Sequence, residues 1–172
     1  KRQDNIQPFI FRFHDGDVAL CHNGNLTNCP SLRRKLEDEG AIFHSNSDTE
    51  VLMHLIRRSM QRTFMDKLKE ALNTVHGGFA YLLMTEDAMI GALDPNGFRP
   101  LVRNIRPGEI VVVNDHGYKI VQYTNNTQLA ICSMEYIYFA RPDSDIYGVN
   151  VHSARKRMGA RLAAESPVEA DM

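Results

Sequence analysis

Stretches of apolar residues at two different spacings follow one another along this chain. Four stretches have the three-to-four-residue repeat of an amphipathic helix, the last of them at 151–164. The strand-like apolar runs are 9–13, 18–21, 79–84, 89–93, 110–113 and 118–123, and several are joined in pairs by polar tips. Helices beside hairpins favour antiparallel sheets with packed helices over a parallel sheet of Rossmann type. The predicted fold class is therefore α+β.

Turn and capping residues mark the expected ends of these elements. Asp15-Gly16 and Asp115-His116-Gly117 each lie between two strand-like runs and predict hairpins. The first expected helix has Asn28 as its cap, Pro30 in its first turn and a stop at Gly40. The second begins with a capping box, Ser47-x-x-Glu50. The third begins at Thr63-x-x-Asp66 and stops at Gly77-Gly78. Pro95-Asn96-Gly97 predicts a type II turn.

Composition narrows the class of protein. A chain of 172 residues with 43% hydrophobic residues can bury one domain core. A net charge of -1 provides no electrostatic argument for nucleic acid or an acidic membrane surface, and no apolar run is long enough to span a bilayer. The three cysteines, at positions 21, 29 and 132, are an odd and dispersed set that suits a reducing compartment. The prediction is a soluble, cytoplasmic protein that binds neither nucleic acid nor membrane.

The segment His22-Asn23-Gly24-Asn25 contains two groups suited to an oxyanion hole. A side-chain amide and a backbone N–H can stabilise the negative oxygen formed during amide hydrolysis, and glycine permits the close approach that such a donor needs. The same Asn-Gly pair is also the commonest sequence of a type I′ hairpin turn. Judged by the local sequence alone, the turn is the better of these two interpretations.

Asp48 stands at an expected helix start, in Ser47-Asp48-Thr49-Glu50. Its carboxylate would stabilise the positive end of the helix dipole. Alternatively, it would accept hydrogen bonds from the ammonium group of an amino-acid substrate. The local sequence favours the helix-start interpretation, because Ser47 to Glu50 already forms a cap pattern.

The other reactive side chains have no decisive local assignment. A lone cysteine such as Cys132 is usually a small buried hydrophobe, and Cys21 and Cys29 have no base arranged near them in sequence. His22 has no visible partner and is interpreted as structural. Arg99 either binds an anion or pairs with an acid, and the local sequence leaves both open.

Five segments match one protein family in order and spacing. They are His22-Asn23-Gly24-Asn25-Leu26, Ser47-Asp48-Thr49-Glu50, and the segments 93–101, 132–144 and 151–155. Together they resemble the glutamine phosphoribosylpyrophosphate amidotransferases of purine biosynthesis, which are class II glutamine amidotransferases. The first two segments occur in several class II amidotransferases, whereas 132–144 is much more specific. The resemblance covers nearly the whole chain.

The resemblance implies a fold and a reaction. The fold is that of an N-terminal-nucleophile hydrolase (αββα), with two antiparallel sheets between helical layers. An N-terminal cysteine hydrolyses glutamine, and the ammonia travels inside the protein to a phosphoribosyltransferase domain. There, with Mg²⁺, ammonia displaces pyrophosphate from phosphoribosylpyrophosphate to give 5-phosphoribosylamine, the first committed product of purine biosynthesis. The resemblance also implies a homotetramer and feedback inhibition by purine nucleotides.

Residue roles follow from the same resemblance. Asn23 and Gly24 match the oxyanion hole, and Asp48 matches the acid that holds the α-amino group of glutamine. Cys132 matches a ligand of a 4Fe-4S cluster in the cluster-containing branch. Cluster-free members can also have cysteine at that position, and the other ligands would lie beyond the end of this chain.

The resemblance also implies pieces that this sequence lacks. The nucleophilic cysteine and an arginine that grips the glutamine carboxylate would precede Lys1, and the transferase domain would follow Met172. A strand pair would be expected between Val102 and Arg103. The predicted organisation is an incomplete glutaminase domain over 1–149, followed by a connecting segment and the start of a transferase domain over 150–172. The segment alone is predicted to be inactive.

Two other functions are weighed against this one. Another class II amidotransferase, making glucosamine phosphate or glutamate, is disfavoured by the segments 132–144 and 151–155. A non-catalytic glutamine-binding or scaffold module is disfavoured less strongly, by the retention of Asn23, Gly24 and Asp48.

Overall fold

The computed structural model describes residues 5–14, 16–99, 101 and 105–169 of the chain. They form two compact units, of which the first ends at Ala130 and the second begins at Ile131. The first unit contains, in chain order, strands β1 (Phe9–Phe13) and β2 (Gly16–Leu26), helices α1 (Cys29–Asp38), α2 (Thr49–Arg58) and α3 (Phe64–Thr74), and strands β3 (Gly77–Met84), β4 (Met89–Leu93), β5 (Glu109–Asn114) and β6 (Gly117–Gln122). The second contains a π-helical turn (Glu135–Phe139), the short strands β7 (Asp145–Ile146) and β8 (Val149–Asn150), and helix α4 (Val151–Glu165).

The first unit is built on a six-stranded antiparallel sheet whose spatial order follows the chain order, β1 to β6. Short connections join β1 to β2, β3 to β4 and β5 to β6, as the apolar runs predict. The three helices lie in the connection between β2 and β3, which pair directly. The α+β prediction with antiparallel pairing is confirmed.

One face of the sheet packs against α2 and α3 and forms the main core of this unit. Every second strand residue turns to the same face, as the two-residue repeat of a strand requires. Leu20 and Leu83 are fully buried on the sheet side, and Leu52 and Leu68 are fully buried on the helix side. The helical repeats read from the sequence therefore mark the helix faces that cover the sheet.

The opposite face of the sheet is also apolar, but the described residues leave much of it open to solvent. Met84, Met89 and Tyr118 are 55%, 47% and 74% exposed there. An apolar sheet face normally packs against another layer. Of the four layers implied by the resemblance, the described part of this unit shows one helical layer and one six-stranded sheet.

The predicted capping box at the start of α2 does not form. The helix begins at Thr49, and Asp48 is its N-cap residue without a side-chain capping bond. The Glu50 carboxylate accepts hydrogen bonds from the backbone N–H groups of His44 and Ser45, each at 2.9 Å. Glu50 therefore anchors the preceding loop, and the sequence pattern was correct about the helix start but wrong about the partner of this acid.

Asn28 precedes α1, as predicted, but its side chain does not cap that helix. Its amide donates to the carbonyl of Thr74 at 3.0 Å and accepts from the N–H of His76 at 2.9 Å. These bonds tie the start of α1 to the end of α3. The cap predicted at Thr63 is confirmed, since its hydroxyl accepts from Asp66 N–H at 3.1 Å.

Gly77 and Gly78 begin β3 instead of ending α3, which stops at Thr74. A Cβ on Gly77 (φ +139°) would lie 2.2 Å from the carbonyl oxygen of Asn25. Glycine is therefore required by the close approach of β3 to β2, a contact that the local sequence does not reveal.

The turn after β4 is not of type II, because Asn96 does not have the positive φ that a type II turn places there. The positive φ belongs to Gly97, at +60°. The buried carboxylate of Asp94 accepts hydrogen bonds from the N–H groups of Asn96 at 2.8 Å and Phe98 at 3.0 Å, and these bonds fix the turn.

The second unit is tied together by backbone-directed side chains. Arg155 of α4 donates to the carbonyls of Tyr136 and Ala140 at 2.7 and 2.8 Å, and so holds both ends of the π-helical turn. The Asn150 side chain accepts from the N–H of Ser153 at 3.0 Å and caps α4. The predicted C-terminal helix is confirmed.

Within the described residues, no helix is both long and apolar enough to cross a membrane. The gap predicted between Val102 and Arg103 lies outside the described residues. The predicted boundary between a glutaminase domain over 1–149 and a connecting segment with the start of a transferase domain over 150–172 stays a prediction.

Candidate functional site

The candidate site is built along one edge of β2, near its end. Successive residues of an antiparallel strand direct their N–H and C=O groups alternately to the two neighbouring positions in the sheet. Gly24 pairs with Phe79 of β3. Phe79 bonds in the other direction, because its carbonyl accepts from Asp94 N–H at 3.0 Å and its N–H donates to the Asp94 carboxylate at 3.2 Å. Gly24 and Phe79 are therefore a non-hydrogen-bonded pair, and the Gly24 N–H is directed away from β3.

His22 and Leu26 lie two positions before and after Gly24 and direct their backbone groups to the same outer edge of β2. Both have hydrogen-bond partners there. The His22 N–H donates to the side-chain carbonyl of Gln7, and the His22 C=O accepts from the Gln7 amide at 2.9 Å. The Leu26 N–H donates to Asp48 Oδ2 at 2.9 Å. β1 pairs with β2 only from Gly16 to Leu20, so no described strand covers the edge of β2 at Gly24. Among the described residues, no partner is found for the Gly24 N–H, which lies between two outward N–H groups that are held.

Asn23 directly precedes Gly24 in β2. Asn23 pairs with Ala80 and is exposed, so its amide projects from the sheet face that the helices do not cover. Asn23-Gly24 is part of a continuous strand, and the hairpin-turn interpretation favoured by the local sequence is wrong. Long-range pairing with β3 overrides the turn propensity of Asn-Gly.

Glycine is required at position 24 by the backbone as well as by any chemistry. Its φ is +149°, and a Cβ at this position would lie 2.1 Å from the carbonyl oxygen of Gly78. A side chain here would push β2 away from β3 and move the open N–H with it. The structural and the chemical interpretations of Gly24 are therefore compatible.

Asp48 reaches the same edge from the start of α2. One carboxylate oxygen accepts from Leu26 N–H, and the other lies 3.3 Å from Nδ1 of His22. Burial alone would raise the pKa of Asp48, but the hydrogen bonds from His22 and Leu26 outweigh it and hold the pKa below its ordinary value. The side chain is 20% exposed, so an ionised carboxylate faces the edge with lone pairs to spare.

His22 is the residue that fixes Asp48, a role that the sequence did not suggest. Its ring stacks on Tyr81 at 4.5 Å between centroids, and its Nδ1 is 3.3 Å from both Asp48 Oδ1 and Thr49 Oγ1. Because an ionised carboxylate has no proton to donate, Nδ1 carries the hydrogen of the Asp48 contact. The interpretation of His22 as structural stays open, and the structure adds a definite partner.

The loop before Asp48 is held by its own helix. The carboxylate of Glu50, only 2% exposed, also accepts from the Ser45 hydroxyl at 2.8 Å. Burial raises the pKa of Glu50, but the bonds from His44 and Ser45 outweigh it and lower the pKa below the ordinary value. Arg33 reinforces the loop by donating to the Ser45 carbonyl at 2.9 Å. This internal bracing determines where Asp48 projects.

The cysteines do not supply a nucleophile to this edge. All three are free, and burial followed by the charge of Asp48 raises the pKa of Cys29, which reduces its thiolate fraction. Cys21 lies on β2 and has no base in hydrogen-bond contact among the described residues. Cys132 belongs to the second unit, where it precedes the π-helical turn. Arg99 lies 5.7 Å from the ring of Phe98, and its two alternatives both stay open.

The edge of β2 combines one outward backbone N–H with a carboxylate, and the neighbouring Asn23 adds a side-chain amide on the uncovered face. Such donors can stabilise a developing oxyanion, and the carboxylate can hold a cation a few ångströms away. The sequence profile described as "Glutamine amidotransferase domain" matches residues 1–130. The chain belongs to the glutamine amidotransferase domain family.

Curated relatives indicate which amidotransferases this chain is similar to in sequence. The chain is 52% identical over 195 residues to a protein named "Amidophosphoribosyltransferase" from Staphylococcus aureus (strain Mu50), with 98% of this chain and 40% of that protein covered. It is 47% identical to the protein of that name from Bacillus subtilis (strain 168), covering 98% and 41%. The chain therefore spans about 40% of the length of the curated relatives it matches.

Solved structures agree with the fold. A structure described as the allosteric regulatory enzyme of purine biosynthesis matches at a TM-score of 0.93 and 47% identity, covering 98% of this chain and 42% of that one. The glutamine phosphoribosylpyrophosphate amidotransferase from B. subtilis, complexed with ADP and GMP, matches at a TM-score of 0.91 and 46% identity, covering 98% and 43%. The N-terminal-nucleophile glutaminase fold implied by the resemblance is thereby confirmed for this partial domain.

Two contributors to the site, Gln7 and the His22–Asp48 contact, could not be predicted from the sequence. Gln7 lies 15 residues from its partner and belongs to none of the motifs described above. His22 and Asp48 are separated by the whole of α1. The only available signal was that Gln7 precedes Pro8 and a strand-like run, which marks the start of a strand without indicating chemistry.

Proposed function

We propose that this chain carries the glutamine-hydrolysis site of an amidophosphoribosyltransferase, without the nucleophile. One observation carries the proposal: the Gly24 N–H is directed to the edge of β2 at which the ionised carboxylate of Asp48 accepts from Leu26 N–H, and Asn23 precedes Gly24 in the same strand. The retention of Asn23, Gly24 and Asp48 argues against a non-catalytic scaffold, which has no use for an oxyanion hole. The identity with amidophosphoribosyltransferases over 98% of the chain supports this family over other class II amidotransferases.

The proposed chemistry is acyl transfer from glutamine to a thiolate. Attack on the side-chain amide carbon forms a C–S bond and moves an electron pair onto the oxygen. Asn23 Nδ2–H and Gly24 N–H donate to that oxygen, and removing one such donor typically costs roughly 3–4 kcal/mol of barrier. Collapse of the intermediate expels ammonia, with a proton delivered to the leaving nitrogen. Water then cleaves the thioester and releases glutamate.

Asp48 is proposed to bind the α-ammonium group of glutamine. Its contacts with His22 and Leu26 take one lone pair on each oxygen, and at least one more on each can face the substrate. This contact is made equally in ground and transition states, so its loss should weaken binding more than it slows the chemical step.

The nucleophile is proposed to be an N-terminal cysteine outside this sequence, whose own amine acts as the base. The 172-residue chain alone should therefore release no glutamate from glutamine. The raised pKa of Cys29 supports this expectation. Measurable glutaminase activity of the isolated chain would contradict it.

The remaining steps are proposed for the longer protein. Ammonia would pass to a phosphoribosyltransferase domain and displace pyrophosphate from phosphoribosylpyrophosphate in the presence of Mg²⁺. Feedback by purine nucleotides is supported by the nucleotides named with the B. subtilis structure. The alignments with the S. aureus proteins cover 195 residues, more than the 172 of this chain, so those relatives have residues without a counterpart here. We propose that these residues include the strand pair expected after Val102.

A 4Fe-4S cluster, a homotetramer and a cytoplasmic location complete the proposal. Cys132 has a free, partly buried thiol, a state that fits one cluster ligand. The described residues bring no group of three or more His, Cys, Asp or Glu side chains into a metal-binding cluster, so the further ligands would have to come from elsewhere. Iron analysis of the full-length protein and its Cys132→Ser variant tests this part, since the variant should lose the cluster.

The central experiment measures three activities of the full-length protein. These are glutamate release from glutamine, phosphoribosylamine formation with glutamine, and phosphoribosylamine formation with free ammonia. We expect all three, with the two synthetic activities dependent on phosphoribosylpyrophosphate. Glutamate release that does not depend on, or couple to, phosphoribosylpyrophosphate would indicate a different amidotransferase. Absence of all three would favour a non-catalytic module.

A further inference from the structure

The side chain of Gln7 occupies the place of a backbone strand beside β2. Its amide accepts from the N–H and donates to the C=O of His22, the two bonds that a paired strand residue would make. Gln7 and His22 also continue the register of β1 and β2, in which Phe9 pairs with Leu20 and each step along one strand is a step back along the other. Gln7 thus completes the ladder with a side chain.

Because a side chain takes the place of a backbone strand at His22, the ladder of hydrogen bonds between β1 and β2 ends just before Gly24. A backbone strand continuing in register would offer its next carbonyl to the Gly24 N–H and consume it. The amide side chain holds His22, two residues from Gly24, and leaves the next outward donor open.

We propose that Gln7 is a positioning residue for the oxyanion hole. Together with Asp48, which holds Leu26 N–H, it fixes β2 on both sides of the open donor. The Gly24 N–H then points at a fixed place before substrate arrives. Preorganised donors stabilise a transition state because no reorganisation is needed when charge develops. The proposal rests on the glutaminase function proposed above.

The role predicts a specific kinetic pattern. Gln7 bonds the His22 backbone and not the Asp48 carboxylate, which Leu26 N–H also holds, so its loss should change the KM for glutamine less than it changes kcat. Its loss should lower kcat, since an oxyanion donor acts mainly in the transition state. Removing such a donor outright costs about 10²–10³ in kcat. Displacing one should cost less, and we expect roughly 10- to 100-fold.

The test uses two variants of the full-length protein and one matched control. Gln7→Glu keeps the size but places a carboxylate oxygen against the His22 carbonyl, and Gln7→Met keeps the length without hydrogen bonds. Gln122→Glu makes the same chemical change on β6, where the Gln122 amide bonds the exposed carbonyl of Thr124 at 2.8 Å. Glutamine-dependent kcat should fall in both Gln7 variants and stay unchanged in the control. Ammonia-dependent synthesis should stay unchanged in all three.

Amide hydrogen exchange provides a readout that does not depend on activity. The His22 N–H should be protected in the wild type and should lose protection in Gln7→Met, while core amides such as Leu83 keep theirs. A folded Gln7 variant with wild-type kcat for glutamine, or an equal loss of ammonia-dependent activity, would overturn the role of Gln7. A wild type that fails to hydrolyse glutamine would overturn the proposed function itself, and the exchange data would still report whether Gln7 holds β2.

Discussion

The two faces of the six-stranded sheet differ in how deeply their side chains are buried. On the helix-covered face, Leu20, Tyr81 and Leu83 are fully buried against α2 and α3. On the other face, the neighbouring Leu82 is 39% exposed, and the exposed amide of Asn23 projects from the same side. The first face provides the stability of this unit, and the second carries one side chain of the proposed site, that of Asn23. A side chain on the open face can vary without disturbing the core.

The largest effect should come from breaking the covered face. Leu83→Ala removes a fully buried side chain and should lower the free energy of unfolding by about 2–5 kcal/mol. Leu82→Ala, one residue away on the open face, should cost about 1 kcal/mol or less in this chain, because less area is buried. Urea titration of both variants measures the difference. If Leu82→Ala proves equally costly in the full-length protein, other residues must cover that face.

Asn23→Ala should separate chemistry from stability on the open face. We expect glutamine-dependent kcat to fall by about 10²–10³ because one oxyanion donor is lost. Ammonia-dependent synthesis and the unfolding midpoint should be retained, since Asn23 is exposed. Asn25→Ala is the matched control, two residues along the same strand and also exposed. Equal losses in both variants would mean that Asn23 has no special role.

Asp48→Asn should weaken glutamine binding more than it slows turnover. Loss of a charge-assisted hydrogen bond to the substrate ammonium costs roughly 1.5–3 kcal/mol, which corresponds to a KM raised about 10- to 100-fold. Wild type and variant should be compared with glutamine and with its analogue lacking the α-amino group. The KM for the analogue should differ little between wild type and variant. An unchanged KM for glutamine would rule out the ammonium-binding role.

Glu50→Gln should affect stability without changing the chemistry directly. The change replaces a buried acceptor of backbone N–H groups and should cost about 1–3 kcal/mol at neutral pH. Because folding lowers the pKa of Glu50, its ionised form stabilises the protein above the ordinary glutamate pKa. That contribution is lost as the pH falls through the lowered pKa, so wild type and variant should converge in acid.

The control for this smallest effect is Glu37→Gln. Glu37 forms an exposed ion pair with Arg33 at 3.0 Å, and such pairs contribute at most about 1 kcal/mol. Chemical denaturation of both variants between neutral and acidic pH tests the comparison. A constant difference between wild type and Glu50→Gln at every pH would show that the carboxylate charge is not the stabilising feature.

Much of the framework could be predicted from local patterns. The hairpins and four helices were correctly placed because their side-chain repeats record which face is buried. Local patterns failed where a distant strand or acid decided the outcome. Asn23-Gly24 was assigned to a turn but lies in β2, and Gly77-Gly78 was assigned to a helix end but begins β3. In both cases β2 and β3 approach so closely that only glycine fits at one position.

The sequence by itself determined the element types and the antiparallel α+β class, because these depend on short-range periodicity. Residue chemistry and the resemblance of whole segments to one family singled out the candidate residues Asn23, Gly24 and Asp48. The tertiary structure decided which of the N–H groups of β2 stays open, because that depends on the pairing of Phe79 with Asp94 and of Gln7 with His22. It also brought Asp48 to the same edge across α1, through contacts with His22 and Leu26. Hydrogen-bond parity in a sheet is set by its neighbours, and a strand does not carry that information in its own residues.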